Sequence, residues 1–228
     1  MNGPLDKPCL PPPSEEELRF LSECAPRLDM DDFLGRLRIF GEFLYETNET
    51  MNLTRIPPEE FWCKHVCDSL SLLKVLPDFA SRPEKICDVG CGAGFPSLVL
   101  AAAFPGCPVV PVDSTGKKIA FVGRAAERMG LDLVAPVQAR ANELARREPY
   151  RNSFAYVTAR AVAETDVLIR EAAGLLKPGG KLVVYRTRSQ AEPELVKLKK
   201  SHLHVCATEE FSLPGDAGRR MFLLIEKR

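Results

Sequence analysis

The chain has 228 residues, and its 31 Lys and Arg balance its 31 Asp and Glu, so the formal net charge is zero. This length suits one sizeable α/β domain with a small appendage. No apolar stretch is long enough to span a membrane, and the proline-rich N-terminus lacks the basic and then apolar pattern of a signal peptide. We therefore expect a cytoplasmic protein with no membrane partner, and a monomer is the simplest assembly.

Charge and cysteines are distributed unevenly. Residues 1–80 contain 8 Lys and Arg against 15 Asp and Glu, whereas residues 81–228 contain 23 against 16. A basic C-terminal part is compatible with contacts to the phosphates of a nucleic acid. The eight cysteines form no C-x-x-C pair and no zinc pattern. We therefore expect reduced, mostly buried thiols and no metal.

The first third of the chain has a helical pattern. The many prolines of residues 1–13 predict a disordered tail. Ser14 and the glutamate three residues later form a capping-box pattern, which predicts the start of a first helix. Asp31 or Asp32 is expected to cap a second helix, whose apolar residues recur at three-and-four spacing. Residues 14–80 are therefore predicted to form a helical cap.

The rest of the chain alternates between short apolar strands and helices. This alternation predicts a doubly wound, Rossmann-like α/β sheet of seven strands over residues 81–228. No helix separates the last two strands, so the last strand is expected to run antiparallel. The expected strands are 85–89, 109–113, 133–137, 154–159, 181–186, about 203–211, and 219–226.

The segment 86–95, with the sequence ICDVGCGAGF, is the most informative in the chain. A short strand ends there, and glycine follows at every second position, as Gly90, Gly92 and Gly94. Such glycines let the backbone bend sharply and let a ligand approach it. The next helix would point its first N–H groups towards that ligand. Phe95 stands where the dinucleotide fingerprint has its third glycine, and the P-loop pattern is absent.

Two acids accompany the glycine loop. Asp113 ends the next apolar strand, where a carboxylate is placed to accept hydrogen bonds from a ribose diol. Asp88 lies under the loop, where its charge would repel a pyrophosphate. It can instead orient loop N–H groups and, directly or through water, the cationic end of S-adenosylmethionine. The glycine loop and Asp113 together predict a half-site that binds adenosine, and Asp88 favours S-adenosylmethionine as the ligand.

Six motifs then follow one another in a recognisable order. They are NLT at 52–54, HVCDSL at 65–70, DVGCGAGFP at 88–96, VDSTGKK at 112–118, RAVA at 160–163 and LKPGG at 176–180. This order resembles the ribosomal RNA small subunit methyltransferase G family, also called glucose-inhibited division protein B, over about residues 30–187. The glycine loop alone indicates a class I methyltransferase, and the first two motifs make the resemblance specific.

The resemblance implies an enzyme that methylates N7 of a guanine in the 16S ribosomal RNA of the 30S subunit, with S-adenosylmethionine as donor. Ser97, Asn142 and the pair Arg186-Thr187 stand where the family has glycine, glutamate and a lysine-glycine pair. The residues expected at the cofactor are Asp88, Gly90, Gly92, Gly94, Phe95, Asp113, Ser114, Ala141, Asn142 and Arg160.

Guanine N7 chemistry makes few demands on catalytic residues. N7 already carries an in-plane lone pair, so no general base is required, and catalysis rests on proximity and alignment. Methyltransferases that bind an exocyclic amine have a [DN]-P-P-[YF] element after the fourth strand. This sequence lacks that element and has Thr158-Ala159-Arg160-Ala161 at the same position. We expect Arg160 to be catalytic by hydrogen bonding the base or a nearby phosphate. The alternative is that Arg160 only pairs with a carboxylate.

Contacts to RNA are expected from polar residues outside the glycine loop. His65 and Asp68 share a helix face, so they either shape the RNA pocket or form a satisfied helix-to-domain contact. Exposure to solvent explains the basic residues on outer faces as well as RNA binding does. Arg219-Arg220 extend the basic surface of the C-terminal part. The residues expected at RNA are Asn52, Arg55, His65, Lys117, Arg186 and Arg188.

Two other functions fit the same fold. Because the sequence shows no catalytic base, loss of activity would leave few traces, and a non-catalytic S-adenosylmethionine-binding protein in ribosome assembly or regulation is one alternative. A small-molecule methyltransferase is the other, but the added N-terminal helices and the basic C-terminal part argue against it. One fold serves many substrates, so the fold alone does not choose between them.

Overall fold

The computed structural model describes residues 10–76, 78–79, 84–198 and 204–227. The chain begins with helices α1 (Glu15–Cys24) and α2 (Met30–Met51) and a helical segment α3 at 58–74. Ser14 caps α1 in the predicted capping box. The cap of α2 is Asp29, which accepts the N–H of Asp32 at 3.2 Å, so the prediction of Asp31 or Asp32 as the cap is wrong.

Helical segment α3 changes its winding along its length. A 3₁₀ turn at Pro58–Glu60 widens into a π-helix at Phe61–Cys67, and the segment ends in turns at Asp68–Leu70 and Ser71–Lys74. Turns of π-helix are rare in proteins, and those that occur often lie at functional sites. The π-helix contains His65 and ends where Asp68 begins, so both lie at the widened turn.

The remaining residues form the sheet and its flanking helices, in the order β1 (Ile86–Val89), α4 (Ser97–Ala103), β2 (Val109–Asp113), α5 (Gly116–Arg128), β3 (Val137–Gln138), α6 (Ala141–Leu144), β4 (Phe154–Arg160), α7 (Thr165–Ala172), β5 (Leu176–Arg186), α8 (Arg188–Leu198), β6 (His204–Ala207), β7 (Phe211–Ser212) and β8 (Arg219–Glu226). Over the described ranges the sheet has the strand order β3-β2-β1-β4-β5-β8-β6, and β7 pairs with β8. Strands β1 to β5 are parallel and β8 is antiparallel to β5. The predicted Rossmann-like sheet with an antiparallel last strand is confirmed, but the sheet has eight strands over the described ranges and not the predicted seven.

Three predicted strands have different bounds. The third is only Val137–Gln138, and the expected strand 203–211 divides into β6 and β7, with residue 203 outside the described ranges. The LKPGG motif, which precedes the expected strand 181–186, lies inside β5, and the register with β4 changes there between Phe154 and Tyr156. Gly179, at a φ of 73°, allows this irregularity.

Two layers of helices cover the sheet. Helices α1 to α5 share one hydrophobic cluster with one face, and helices α6 to α8 share another with the opposite face. Adjacent residues of β1 illustrate the alternation, because Ile86 belongs to the first cluster and Cys87 to the second. The N-terminal helices therefore pack directly on the sheet domain; the predicted boundary between residues 80 and 81 lies outside the described ranges.

The described end of the N-terminal tail, from Leu10 on, packs against the helices. Leu10 is buried, and the carbonyl of Pro11 accepts a hydrogen bond from Trp62 Nε1 at 2.7 Å. These contacts hold the described end of the segment 1–13 against the helices, contrary to the predicted disorder. Residues 1–9, with Cys9, are outside the described ranges.

The cysteines within the described ranges are free thiols, buried except for Cys206. Burial raises the pKa of the Cys24 thiol to about 12, which makes it a poor nucleophile. In the described part of the chain, no helix combines the length and the apolar character needed to cross a bilayer.

Candidate functional site

The glycine loop follows β1 and folds back on β2. The N–H groups of Gly90 and Cys91 both donate to the carbonyl of Val112, at 2.8 and 3.0 Å. Gly90 has a φ of 69°, and a Cβ there would lie 2.7 Å from Val162 Cγ2. Any larger residue would therefore be strained and would push Val162 out of place.

Asp113, at the end of β2, connects the loop to helix α5. Its Oδ1 accepts the N–H of Thr115 at 2.8 Å and its Oδ2 accepts the N–H of Gly92 at 3.2 Å. Lys118 Nζ lies 3.9 Å from Oδ2. A carboxylate oxygen has two acceptor sites, so each oxygen of Asp113 retains one for a ligand hydroxyl.

A cleft of about 340 Å³ opens between these elements. Its walls include four of the predicted cofactor residues, namely Gly90, Asp113, Ser114 and Ala141. The volume and the mixture of apolar side chains with a few polar groups are typical of small-molecule sites. The cleft lies at the carboxyl ends of the parallel strands, where ligands bind in open α/β sheets.

The predicted cofactor residues do not include the other eight residues that line the cleft, which are Val89, Val112, Lys118, Ala139, Arg140, Ala161, Val162 and Glu171. Arg140 directly precedes the predicted Ala141, and Val162 belongs to the RAVA motif, so both carried a usable signal. Lys118 ends the VDSTGKK motif and therefore also carried a usable signal. Glu171 carried no local signal, because only the packing of α7 brings it to the cleft.

Asp88 supports the loop from below. It is fully buried, with Oδ1 accepting from the Thr158 hydroxyl at 2.8 Å and Oδ2 accepting the N–H of Ser97 at 3.2 Å. Burial raises the pKa of Asp88 to about 6, against the lowering effect of these hydrogen bonds. Asp88 therefore joins β1, α4 and β4 and shapes the loop without lining the cleft.

Five other predicted cofactor residues do not line the cleft, namely Gly92, Gly94, Phe95, Asn142 and Arg160. A Cβ on Gly94 would lie 2.6 Å from Leu98 Cδ1, so this glycine permits close packing of the loop on α4. Phe95 is buried and its ring stacks on that of His65, with centroids 4.0 Å apart. Asn142 lines a neighbouring cleft of about 440 Å³ and is exposed.

Arg160, at the end of β4, lies in a network with the N-terminal helices. Its Nη1 donates to Asp68 Oδ2 at 2.9 Å and to the carbonyl of Lys64 at 3.2 Å. Its guanidinium lies 5.3 Å from the ring centroid of Phe95. Arg220 binds the same carboxylate, with Nε 2.7 Å from Asp68 Oδ1. The predicted alternative of a carboxylate pair at Arg160 is therefore present.

His65 contributes to this network as a neutral ring. Burial, followed by the charge of Arg160, lowers the pKa of His65 well below 6.5. Nδ1 faces Arg160 Nη2 at 3.3 Å and Nε2 lies 2.9 Å from Thr54 Oγ1. Because Arg160 can only donate, we assign the ring proton to Nε2, which donates to Thr54.

The network explains two motifs that preceded the glycine loop. The side chain of Asn48 accepts the N–H of Thr54 at 2.9 Å and donates to the carbonyl of Thr54 at 3.0 Å. The hydroxyl of Thr54 in turn hydrogen bonds to His65. The NLT and HVCDSL motifs thus converge on Arg160. His65 and Asp68 therefore join helical segment α3 to the sheet through hydrogen bonds to Arg160, as in the predicted alternative of a helix-to-domain contact.

The structure separates the predicted RNA residues into exposed and buried groups. Asn52 ends α2 with a φ of 50° and is exposed, as are Arg55, Lys117 and Arg188. Arg186 is only 5% exposed and bonds to Glu194, Thr165 and the carbonyls of Tyr185 and Ala163. This burial contradicts an RNA contact at Arg186, which instead holds α8 and the loop after β4 in place.

The strand order with an antiparallel β8, the glycine loop after β1 and the acid after β2 together define a Rossmann-like methyltransferase fold. An O-methyltransferase from Thermotoga maritima shares this fold with a TM-score of 0.55 and 17% identity, over 81% of this chain and 71% of that one. A precorrin methyltransferase from Geobacter metallireducens gives a TM-score of 0.51 and 14% identity, over 68% and 87%.

Sequence comparison gives the family. The family model described as rRNA small subunit methyltransferase G matches residues 34–221. Proteins of that name from Geobacillus kaustophilus and Lactobacillus delbrueckii are 41% and 39% identical over 199 and 196 residues, covering 85% and 84% of this chain and 82% of each relative. The chain therefore belongs to the rRNA small subunit methyltransferase G family, and the predicted resemblance is confirmed.

Proposed function

We propose that this methyltransferase transfers a methyl group from S-adenosylmethionine to N7 of a guanine in 16S ribosomal RNA. The observation that carries the proposal is the cleft bounded by Gly90, Asp113 and Ala141, beside which β4 ends in Arg160. The family name supports a small-subunit ribosomal RNA as the substrate.

The cleft fits the donor in its acceptor chemistry and its shape. The carboxylate of Asp113 retains acceptor sites suited to ribose hydroxyls. Gly90 has no side chain, so its bare backbone forms part of the cleft wall. A Cβ at this position would collide with Val162. Ser114 and Ala141 complete the walls. When bound, S-adenosylmethionine supplies an electrophilic methyl group on a sulfonium.

The residues of the chain then have to place the guanine in line with that methyl group. N7 attacks with a lone pair that is already free of a proton, so alignment is the main requirement. Arg160 directly precedes Ala161 and Val162, which line the cleft. Its side chain is 15% exposed and its fork has five N–H donors, so part of the guanidinium remains free to hydrogen bond the base or a phosphate.

Methyl transfer and donor binding test the proposal separately. Tritium from labelled S-adenosylmethionine should reach 30S subunits that lack this modification, and Arg160→Ala should abolish the transfer. Asp113→Asn should weaken donor binding about 10- to 100-fold, since a hydrogen bond to a charged group contributes about 1.5–3 kcal/mol. Asp132→Asn, at an exposed position, is the matched control.

Near-normal turnover by Arg160→Ala would reject the role of that residue. Donor binding without any transfer by the wild-type protein would instead favour the non-catalytic assembly or regulatory protein.

A further inference from the structure

A set of arginines lies at the carboxyl edge of the sheet, outside the cleft. Arg160 ends β4 and pairs in register with Tyr185 of β5, and Arg186 of β5 pairs with Met221 of β8. Because β8 is antiparallel, its first residues lie at the same edge. This register places Arg219 and Arg220 on the side of Arg160 away from Asp113, about 10 Å along the sheet at ~4.8 Å per strand.

Two mostly buried carboxylates each hold two of these arginines. Asp68, with a 3% exposed side chain, binds Arg160 and Arg220 at 2.9 and 2.7 Å. Glu210, with a 7% exposed side chain, binds Arg219 and Arg188 at 3.0 and 3.3 Å. Arg188 also faces Glu192, at 3.6 Å. The four arginines therefore outnumber the acids that contact them.

The outer guanidiniums remain accessible. The side chains of Arg188 and Arg219 are 58% and 63% exposed, and each uses its Nε towards Glu210. Binding through Nε leaves terminal N–H groups for a second anion. Exposed ion pairs contribute only about 0–1 kcal/mol to stability, so stability is a weak reason for clamping these side chains. Prior ordering, in contrast, lowers the entropy lost when a ligand is bound.

We propose that Arg160, Arg220, Arg219 and Arg188, oriented in pairs by Asp68 and Glu210, form a track that binds consecutive phosphates of the RNA strand carrying the target guanine. The track begins at the residue beside the cleft and leads away from Asp113, which leaves the cleft free for the methyl donor. This inference rests on the proposed function and adds the path of the RNA backbone and the two orienting carboxylates.

The salt dependence of RNA binding tests the track. The double substitution Arg188→Gln and Arg219→Gln is compared with Arg19→Gln and Arg38→Gln, which remove the same charge from exposed positions on α1 and α2. Filter binding to undermethylated 30S subunits is measured from 50 to 300 mM KCl. Each lost phosphate contact lowers the slope of log K against log salt by about 0.7 to 0.9, so the track variant should lose about 1.4 to 1.8. The control pair should keep the wild-type slope.

A third variant tests the orienting role. Glu210→Gln removes a negative charge, so simple charge counting predicts tighter RNA binding, whereas loss of orientation predicts weaker binding with an unchanged slope. Tighter binding would overturn the orienting role of Glu210.

An unchanged slope in the track variant, or an equal loss in the control pair, would overturn the track. Methyl transfer by the wild-type protein distinguishes the two failures. If transfer occurs and the slope does not change, only the track is wrong; if no transfer occurs, the proposed function itself fails. Calorimetry with S-adenosylmethionine should give the wild-type affinity for the track variant, because Arg188 and Arg219 lie outside the cleft.

Discussion

Removal of the charge on Asp68 should destabilise the protein and slow methyl transfer together. The side chain is 3% exposed and holds two arginines that are 15% and 24% exposed. Loss of one partner of a buried ion pair costs about 3–5 kcal/mol. Because both arginines reach solvent in part, we expect the lower end for Asp68→Asn, about 3 kcal/mol. In a chain of this length that corresponds to a fall in Tm of about 6–12 °C.

Thermal and urea unfolding measure the loss, and Asp32→Asn is the control. Asp32 also pairs with an arginine, at 2.7 Å, but its side chain is 47% exposed, so its loss should cost less than about 1 kcal/mol. At a temperature where Asp68→Asn is folded, its kcat should fall while its KM for S-adenosylmethionine stays near the wild-type value, because Arg160 loses its anchor outside the cleft. Equal stabilities for the two variants, or an unchanged kcat for Asp68→Asn, would refute this reasoning.

Three further predictions concern the loop and the buried titratable groups. Gly90→Ala should destabilise the protein by about 1–2 kcal/mol, because Gly90 has a positive φ, and it should weaken donor binding. The control Gly35→Ala lies in the interior of α2 with open space around it, so it should stabilise the protein by roughly 0.5–1 kcal/mol. The opposite order of stabilities in urea unfolding would contradict the loop geometry. The raised pKa of Asp88 means that the folded state binds the proton more tightly than the unfolded one. Relative to Asp88→Asn, the wild type should therefore lose stability as the pH rises from about 4 to 6, and a constant difference in urea midpoints across that range would contradict it. The lowered pKa of His65 means that the unfolded state binds the proton more tightly than the folded one, the opposite of Asp88. Relative to His65→Gln, the wild type should therefore lose stability as the pH falls below about 6.5, and parallel pH profiles of the two proteins would contradict this.

Local patterns were sufficient to predict the sheet and the core of the cleft. The glycines of the loop and the acid that ends β2 act through neighbouring residues, and the structure brings Gly90 and Asp113 to one cleft. The capping box at Ser14 is equally local, and it was also predicted. Asp29 was missed as the cap of α2 because three aspartates lie within four positions and only the backbone conformation distinguishes them.

The surroundings of the basic residues could not be read from the sequence. Arg186 has the charge and position of a surface residue, yet Glu194 of α8 and the loop after β4 enclose it. Arg160 meets Asp68 from a helix 92 positions earlier in the chain, and Arg220 joins from the last strand. Such partners become neighbours only when the N-terminal helices pack on the sheet, so no local pattern reports them.

The most direct test of the central claim is mass spectrometry of 16S RNA nucleosides after undermethylated 30S subunits are incubated with the pure protein and methyl-deuterated S-adenosylmethionine. The account predicts deuterated 7-methylguanosine with the wild-type protein and none with Arg160→Ala. The absence of any labelled 7-methylguanosine with a wild-type protein that binds the donor would contradict it.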